Sequence, residues 1–386
     1  MKQIAYTFSI LAFLFNNQPA NSISVPNQFK PENNSGSILC VPAAYLQAPD
    51  DCIPLGPSKY ITDLATEGFD YPLKPLQVSH PDQSLMDLPY HYYKVNNTGT
   101  SFYPSPQAAC SKKGAVSVLP PGAFFYVVYA QRFDIPKCTY FQLPSGLFMP
   151  GDGSTVSISN NFPGVEVKSN PTIPFGFVFN STAIRSQPNE SSDTNIVGKL
   201  VSYQIVPIYE TKMIDTNVWH SIGPDQWVTG RDIALVTPNP IPPAGVNNNR
   251  WIDVDLSEQT LAVYENSQMI FATVVATGLD PLFTRPGLFH IYKKKELETM
   301  RGENKTPNFY YLENVPWTMY FDKARALHGA YWRARLGYPQ SHGCVNLFPG
   351  DAHWLYNWAN EGDFVYIHDP SGKTPTDPSL YGDGGA

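Results

Sequence analysis

The chain has 386 residues, of which 42% are apolar, 13% aromatic and only 15% charged, with a formal net charge of −7. That is enough apolar material for a large core and excludes an intrinsically disordered chain, while a mildly acidic sequence without runs of Lys or Arg lacks the electrostatic footprint of a nucleic-acid binder. Its 37 prolines argue against an all-helical protein and for strands joined by turns.

In chain order, Lys2 precedes a mostly apolar run from Ile4 to Phe15, followed by small residues at Ala20 and Ser22. This layout reads as a secretory signal peptide over residues 1–22, and no later stretch is apolar for long enough to span a bilayer, so no integral membrane segment is expected after its cleavage. Export sets how the cysteines are read. Cys40, Cys52, Cys110 and Cys138 form an even set, with Cys40–Cys52 and Cys110–Cys138 as the nearest-neighbour pairing, while Cys344 stands apart.

Residues 23–85 are rich in Pro, Ser, Asn and Asp without periodicity, and read as an arm or linker. From 86 to 245, short runs of Tyr, Phe and Val alternate with Gly/Pro turns, for example residues 123–130 after Pro120-Pro121-Gly122, which predicts an all-β region. Inside it, residues 140–151 align without gaps with residues 219–230. Tyr140 and Trp219, Leu143 and Ile222, Phe148 and Trp227, and Gly151 and Gly230 then coincide. Two strand-turn-strand units, expected as two small barrel-like repeats, account for this. The aromatic spacing resembles the bacterial Src-homology-like barrels that accompany cell-wall enzymes. Exposed, these aromatics would suit glycan or peptide binding; the ordinary outcome is that they fill a core.

A Pro-rich joint at 238–243 leads to the last region, 248–370, with a tail at 371–386. Ile252, Val254 and Leu256 alternate with Asp253 and Asp255 as a half-buried strand, and Leu261 and Val263 continue the apolar face. After a turn at 265–268, Met269 to Ala276 is nearly continuously apolar, as a strand covered on both faces requires. Gly278 breaks it, and Thr284-Arg285-Pro286-Gly287 introduces a strand at 288–292. Near the end, Ala352, Leu355 and Ala359 fall on one side of a helix over 351–360, with Asp351 at its start and Gly362 just past its end. The chain is thus expected to be mainly β, with a β-rich C-terminal domain carrying one clear helix.

Chemistry concentrates in His328-Gly329-Ala330-Tyr331-Trp332 and in Ser341-His342-Gly343-Cys344-Val345-Asn346. Gly343 permits a sharp turn, and its N–H with that of Cys344 suits the negative oxygen of a tetrahedral acyl intermediate. A thiol attacks as thiolate and needs a nearby imidazole, which either His342 or His328 can supply. Adding His353 gives a conceivable zinc set, but structural zinc sites usually offer paired cysteines and catalytic ones a recognisable His/Glu spacing; neither is present, so no metal and no cofactor is expected.

Together these residues resemble the signature of the L,D-transpeptidase (YkuD-type) catalytic domain, in which Ser/Thr-His-Gly-Cys is followed by a hydrophobic residue and Asn or Arg. The strand at Trp251, the turn at 284–289, Val315-Pro316-Trp317 and the closing helix extend the resemblance over roughly 250–368. It implies a β-sandwich in which Cys344 is the nucleophile and His328 the proton acceptor and donor. It further implies that His342 and Gly343 shape the oxyanion pocket, and that Asn346, Trp332 and Ser341 line the substrate site. The reaction implied is formation of 3–3 cross-links between peptidoglycan stem peptides through a cysteine thioester, or trimming of the stem if water replaces the amine. The corresponding place of action is the cell envelope or the exterior. Arg333 and Arg335, between the two motif halves, are candidates to meet substrate carboxylates. A cell-wall-binding protein with a vestigial catalytic domain is the reading from another class.

Overall fold

The alternation at 250–256 and the hairpin after it seed the structure. In the computed structural model, which describes residues 64–65, 76–96, 98–122, 124–190, 193–302 and 310–384, Arg250–Asp255 pairs antiparallel with Thr260–Glu265. That strand pairs in turn with Gln268–Val274. The two-residue connection Asn266-Ser267 has positive φ at both positions, 51° and 60°, the geometry whose twist matches that of the strands it joins. The signal-peptide stretch, Cys40 and Cys52 lie outside the described residues.

The chain folds into two seven-stranded sheets and smaller satellites. The first sheet runs in the order Val78–Ser79, Val165–Val167, Gln268–Val274, Thr260–Glu265, Arg250–Asp255, Phe364–His368, Gly287–His290. The second runs Val345–Leu347, Arg325–Gly329, Tyr310–Asp322, Phe124–Tyr129, His91–Lys94, Ser154–Thr155, with Lys293–Arg301 paired to Tyr310–Asp322. Between them lies the main core, where Ile252, Val254, Leu261 and Val263 meet Trp317, Met319, Leu327, Val345 and Leu347. The helix Pro349–Trp358 closes this core with Ala352 and Leu355, both fully buried.

Strands from outside 248–370 thus complete both sheets. Phe124–Tyr129 pairs parallel with Tyr310–Asp322, and Val165–Val167 pairs with Gln268–Val274, so strands drawn from residues 78–167 are structural parts of the sandwich. The physical reason is that a sheet edge leaves unpaired N–H and C=O groups, which an added strand satisfies. Gln268–Val274 is accordingly an interior strand, as its apolar run required.

The two aligned segments are hairpins of one kind, as expected, but they sit in open sheets. Cys138–Gln142 pairs with Phe148–Pro150, and Asn217–Gly223 pairs with Gln226–Thr229. Among the described residues no closed barrel forms. Tyr140 and Trp219 are buried and Tyr140 meets Phe148 edge-on, so the aromatic pattern is mainly a packing pattern. The region 86–245 is also not purely β. A helix, Pro106–Ser111, starts with the Ser105 hydroxyl accepting from Ala108 N and with Pro at its first position, a favourable N-terminus. Its Cys110 is bonded to Cys138, which ties the helix to the first hairpin. The C-terminal tail is docked rather than free: Arg325 donates to Gly382 O and its guanidinium lies over Tyr381. No helix among the described residues is long and apolar enough to cross a membrane.

Candidate active site

Arg325–Gly329 and Val345–Leu347 lie side by side and parallel, with Leu327 opposite Val345 and His328 opposite Asn346. Side chains alternate across a strand. Leu327 and Val345 therefore enter the main core, while Ala326, His328, Cys344 and Asn346 share the other face. Cys344 is fully buried there among Tyr92, Tyr126, Tyr310, Tyr331 and Ala326. Its sulfur accepts from Ala326 N at 3.3 Å and its S–H points to Ala324 O at 3.7 Å. No hydrogen bond joins it to His328. Burial pushes the thiol up to about 12, against the smaller opposing pull of the Ala326 amide and Arg325.

The turn that presents the cysteine is built by Ser341 and Gly343. Ser341 Oγ donates to Cys344 O at 2.6 Å and accepts from Gly343 N at 3.1 Å, so this buried hydroxyl clamps its own turn. Gly343 has φ 112°, and a Cβ there would stand 2.9 Å from Arg325 Nε. Its carbonyl accepts from Thr284 Oγ1 at 2.9 Å. Its N–H, expected in the oxyanion pocket, is committed to Ser341 in this structure. Behind the turn, Asp322 pairs with both Arg285 and Arg325. Burial works to raise the Asp322 carboxyl, yet the two guanidiniums hold it below the usual carboxylate value.

His328 is fully buried, with Nδ1 3.3 Å from Gly329 O and Nε2 3.1 Å from Asn346 Nδ2. Arg333 Nε lies 3.3 Å from Asn346 Oδ1. Because a guanidinium only donates, the Asn346 atom facing it is the oxygen, and the atom facing His328 is the NH2 donor. The Nε2 of His328 therefore carries the lone pair, and Nδ1 carries the proton given to Gly329 O. Burial, with a smaller contribution from the charge of Arg333, moves the imidazole down to about 4, so it is neutral at pH 7 and able to accept a proton.

Trp332 packs against the His328 ring at 5.7 Å between centroids and meets Phe124 edge-on at 6.0 Å. His342 is half-buried, edge-on to Tyr310 at 5.4 Å, and burial lowers its pKa. Arg335 is exposed. His353 is engaged elsewhere, stacked on Trp317 and bonded through Nδ1 to Leu85 O. Among the described residues no three of His, Cys, Asp and Glu gather as metal ligands.

The structure therefore brings Cys344, His328, Asn346 and Trp332 to one locus and assigns Ser341 and Gly343 to its scaffold. Sequence reasoning missed the Asp322–Arg285–Arg325 group, Thr284, and the covering aromatics Tyr92 and Tyr126. The Thr284-Arg285-Pro286-Gly287 turn was the available signal for the first two. Tyr92 and Tyr126 carry no local mark, because they belong to strands far upstream.

Residues 249–367 match the family model of the L,D-transpeptidase catalytic domain, YkuD. Among solved structures, an L,D-transpeptidase from Stackebrandtia nassauensis is 31% identical over 34% of this chain and 60% of its own, with a TM-score of 0.27. One from Enterococcus faecium is 25% identical over 31% of this chain and 50% of its own, with a TM-score of 0.29. One from Mycobacterium smegmatis is 16% identical over 53% and 89%, with a TM-score of 0.30. The chain thus spans between half and about 60% of the first two. No curated protein matches it. The match covers Arg250–Asp255, Thr260–Glu265 and Gln268–Val274 of the first sheet, Tyr310–Asp322 and Arg325–Gly329 of the second, the Cys344 turn and the closing helix, and on that ground residues 249–367 are a YkuD-type L,D-transpeptidase catalytic domain.

Proposed function

We propose that this protein is an exported enzyme that forms 3–3 cross-links between peptidoglycan stem peptides through an acyl-thioester on Cys344. The observation that carries the reading is the placement of Cys344 and His328 on one sheet face, on adjacent strands, inside a domain of this family. The Cys110–Cys138 disulfide supports an oxidising compartment.

As folded, the thiol is neutral and faces Ala326 and Ala324. Reaction begins when the Cys344 side chain turns along its face toward His328 and gives its proton to the Nε2 lone pair that Asn346 holds in position. The sulfur attacks the carbonyl preceding the terminal D-alanine of a tetrapeptide stem, the C–N bond breaks, and the imidazolium returns its proton to the departing amine. With the Gly343 amide bound to Ser341, the Cys344 amide is the main-chain donor nearest the developing oxyanion. An amine of a second stem then attacks the thioester and restores the thiol. Burial of Cys344 and His328 disfavours water as the acceptor.

Purified protein incubated with a tetrapeptide stem or a carbapenem should gain one covalent adduct on Cys344 by intact-mass and peptide mapping, and the Cys344→Ala chain should gain none. Product analysis then separates cross-linked dimer from trimmed stem. A reduced thiol that forms no adduct would reject the assignment.

A further inference from the structure

Next to Trp332, which packs on the His328 ring, a cavity of about 440 Å³ is lined by Tyr331, Trp332 and Arg333. Lys94 and the mostly polar segment 154–160 also line it, in chain that lies outside the family domain at 249–367. The strand pairing that completes the second sheet puts them there, since Lys94 is directly opposite Ser154. Two cations line the cavity and no carboxylate does.

Both cations have capacity to spare. Arg333 spends three donors, on Asn346 Oδ1, Gln340 Oε1 and Gln340 O, and a guanidinium has five N–H groups. The Lys94 ammonium lies 5.9 Å from the centre of the Tyr126 ring and forms no ion pair among the described residues. Burying a guanidinium without a counter-charge is costly, so a site of this kind is completed by an anion. The indole N–H of Trp332 has no hydrogen-bond partner among the described residues.

Resting on the acyl transfer proposed above, we infer that this cavity is a carboxylate subsite that holds the released residue of the donor peptide between Lys94 and Arg333. The chemistry dictates the placement. The departing amine takes its proton from His328, and in a C-terminal amino acid the carboxylate is one carbon away from that amine. Arg333 reaches His328 through the single amide group of Asn346, so an anion at Arg333 stands on the leaving-group side of the base. Lys94, supplied by the inserted strand, adds the second charge that a bare catalytic domain would lack.

The test uses the full chain carrying Cys344→Ala, so that binding is measured without turnover. Calorimetric titration should show the tetrapeptide acid binding about tenfold more tightly than its C-terminal amide, the scale of one charge-assisted contact. Adding Lys94→Met, an exposed position, should abolish most of that preference while leaving the amide's affinity and the melting temperature unchanged. Equal binding of acid and amide by the Lys94 chain overturns the inference, as does a preference that follows another carboxylate of the stem, read by amidating that group instead. In parallel, the wild-type chain is assayed for D-alanine release. Absence of release with the acid preference intact preserves the subsite and removes the transferase reading, so the two failures are distinguishable.

Discussion

His328→Gln should change how stability depends on pH. In the folded protein burial holds the imidazole at about 4, against 6.5 for an unconstrained histidine. Above pH 6.5 both states leave it neutral and its contribution is complete. As the pH falls from 6.5 toward 4, the unfolded chain takes up a proton that the folded chain refuses, so stability is lost over that window and the loss ends below 4. A shift of this size corresponds to about 3 kcal/mol. Because other groups also titrate there, among them His220, moved down to about 4 by burial, the informative quantity is the difference between two proteins. Urea unfolding of wild type and His328→Gln at pH 7, 6, 5 and 4 should give free energies whose difference changes by about 3 kcal/mol in favour of the variant on acidification. Parallel profiles would refute the placement of a neutral, buried imidazole, and with it the reasoning that His328 is available as a base at neutral pH.

Gly343→Ala should cost about 2–4 kcal/mol in urea unfolding, since it adds a strained φ to a contact that displaces the buried Arg325. Asn346→Ala removes the donor that holds the His328 Nε2 lone pair. Nitrogen NMR of the imidazole should then show a mixture of tautomers in place of the Nδ1–H form, with kcat falling more than KM rises. Replacing Cys110 and Cys138 together by Ala opens a loop with a sequence separation of 28 and should lower stability by about 3–4 kcal/mol, read by urea unfolding under oxidising conditions. Asp322→Ala leaves Arg285 and Arg325 without their counter-charge and should cost about 3–5 kcal/mol, measured by the same method.

The site was legible where chemistry is local. A cysteine two residues after a histidine, with a glycine between and a second histidine upstream, restricts the chemistry by residue type alone, and the strand periods at 250–276 and the helix after Phe348 follow from apolar spacing. The same holds for the two hairpins, whose aromatic and glycine positions repeat because each unit buries the same face. Ser341 shows the limit of such reading, since its residue type suits substrate binding equally well, and only its contacts to Gly343 and Cys344 assign it to the turn.

Amino-acid order by itself determined which residues could react and which segments would be strands, because those properties depend on side-chain type and on a period of two or of 3.6 residues. Tertiary structure alone decided that strands drawn from residues 78–167 complete both sheets, that Arg333 reaches His328 through Asn346, and that Lys94 and Arg333 line one cavity. Pairing at a sheet edge is made by backbone groups common to every residue, so it leaves no mark in the side-chain pattern; partners as far apart in the chain as Phe124 and Tyr310 meet only once the chain has folded.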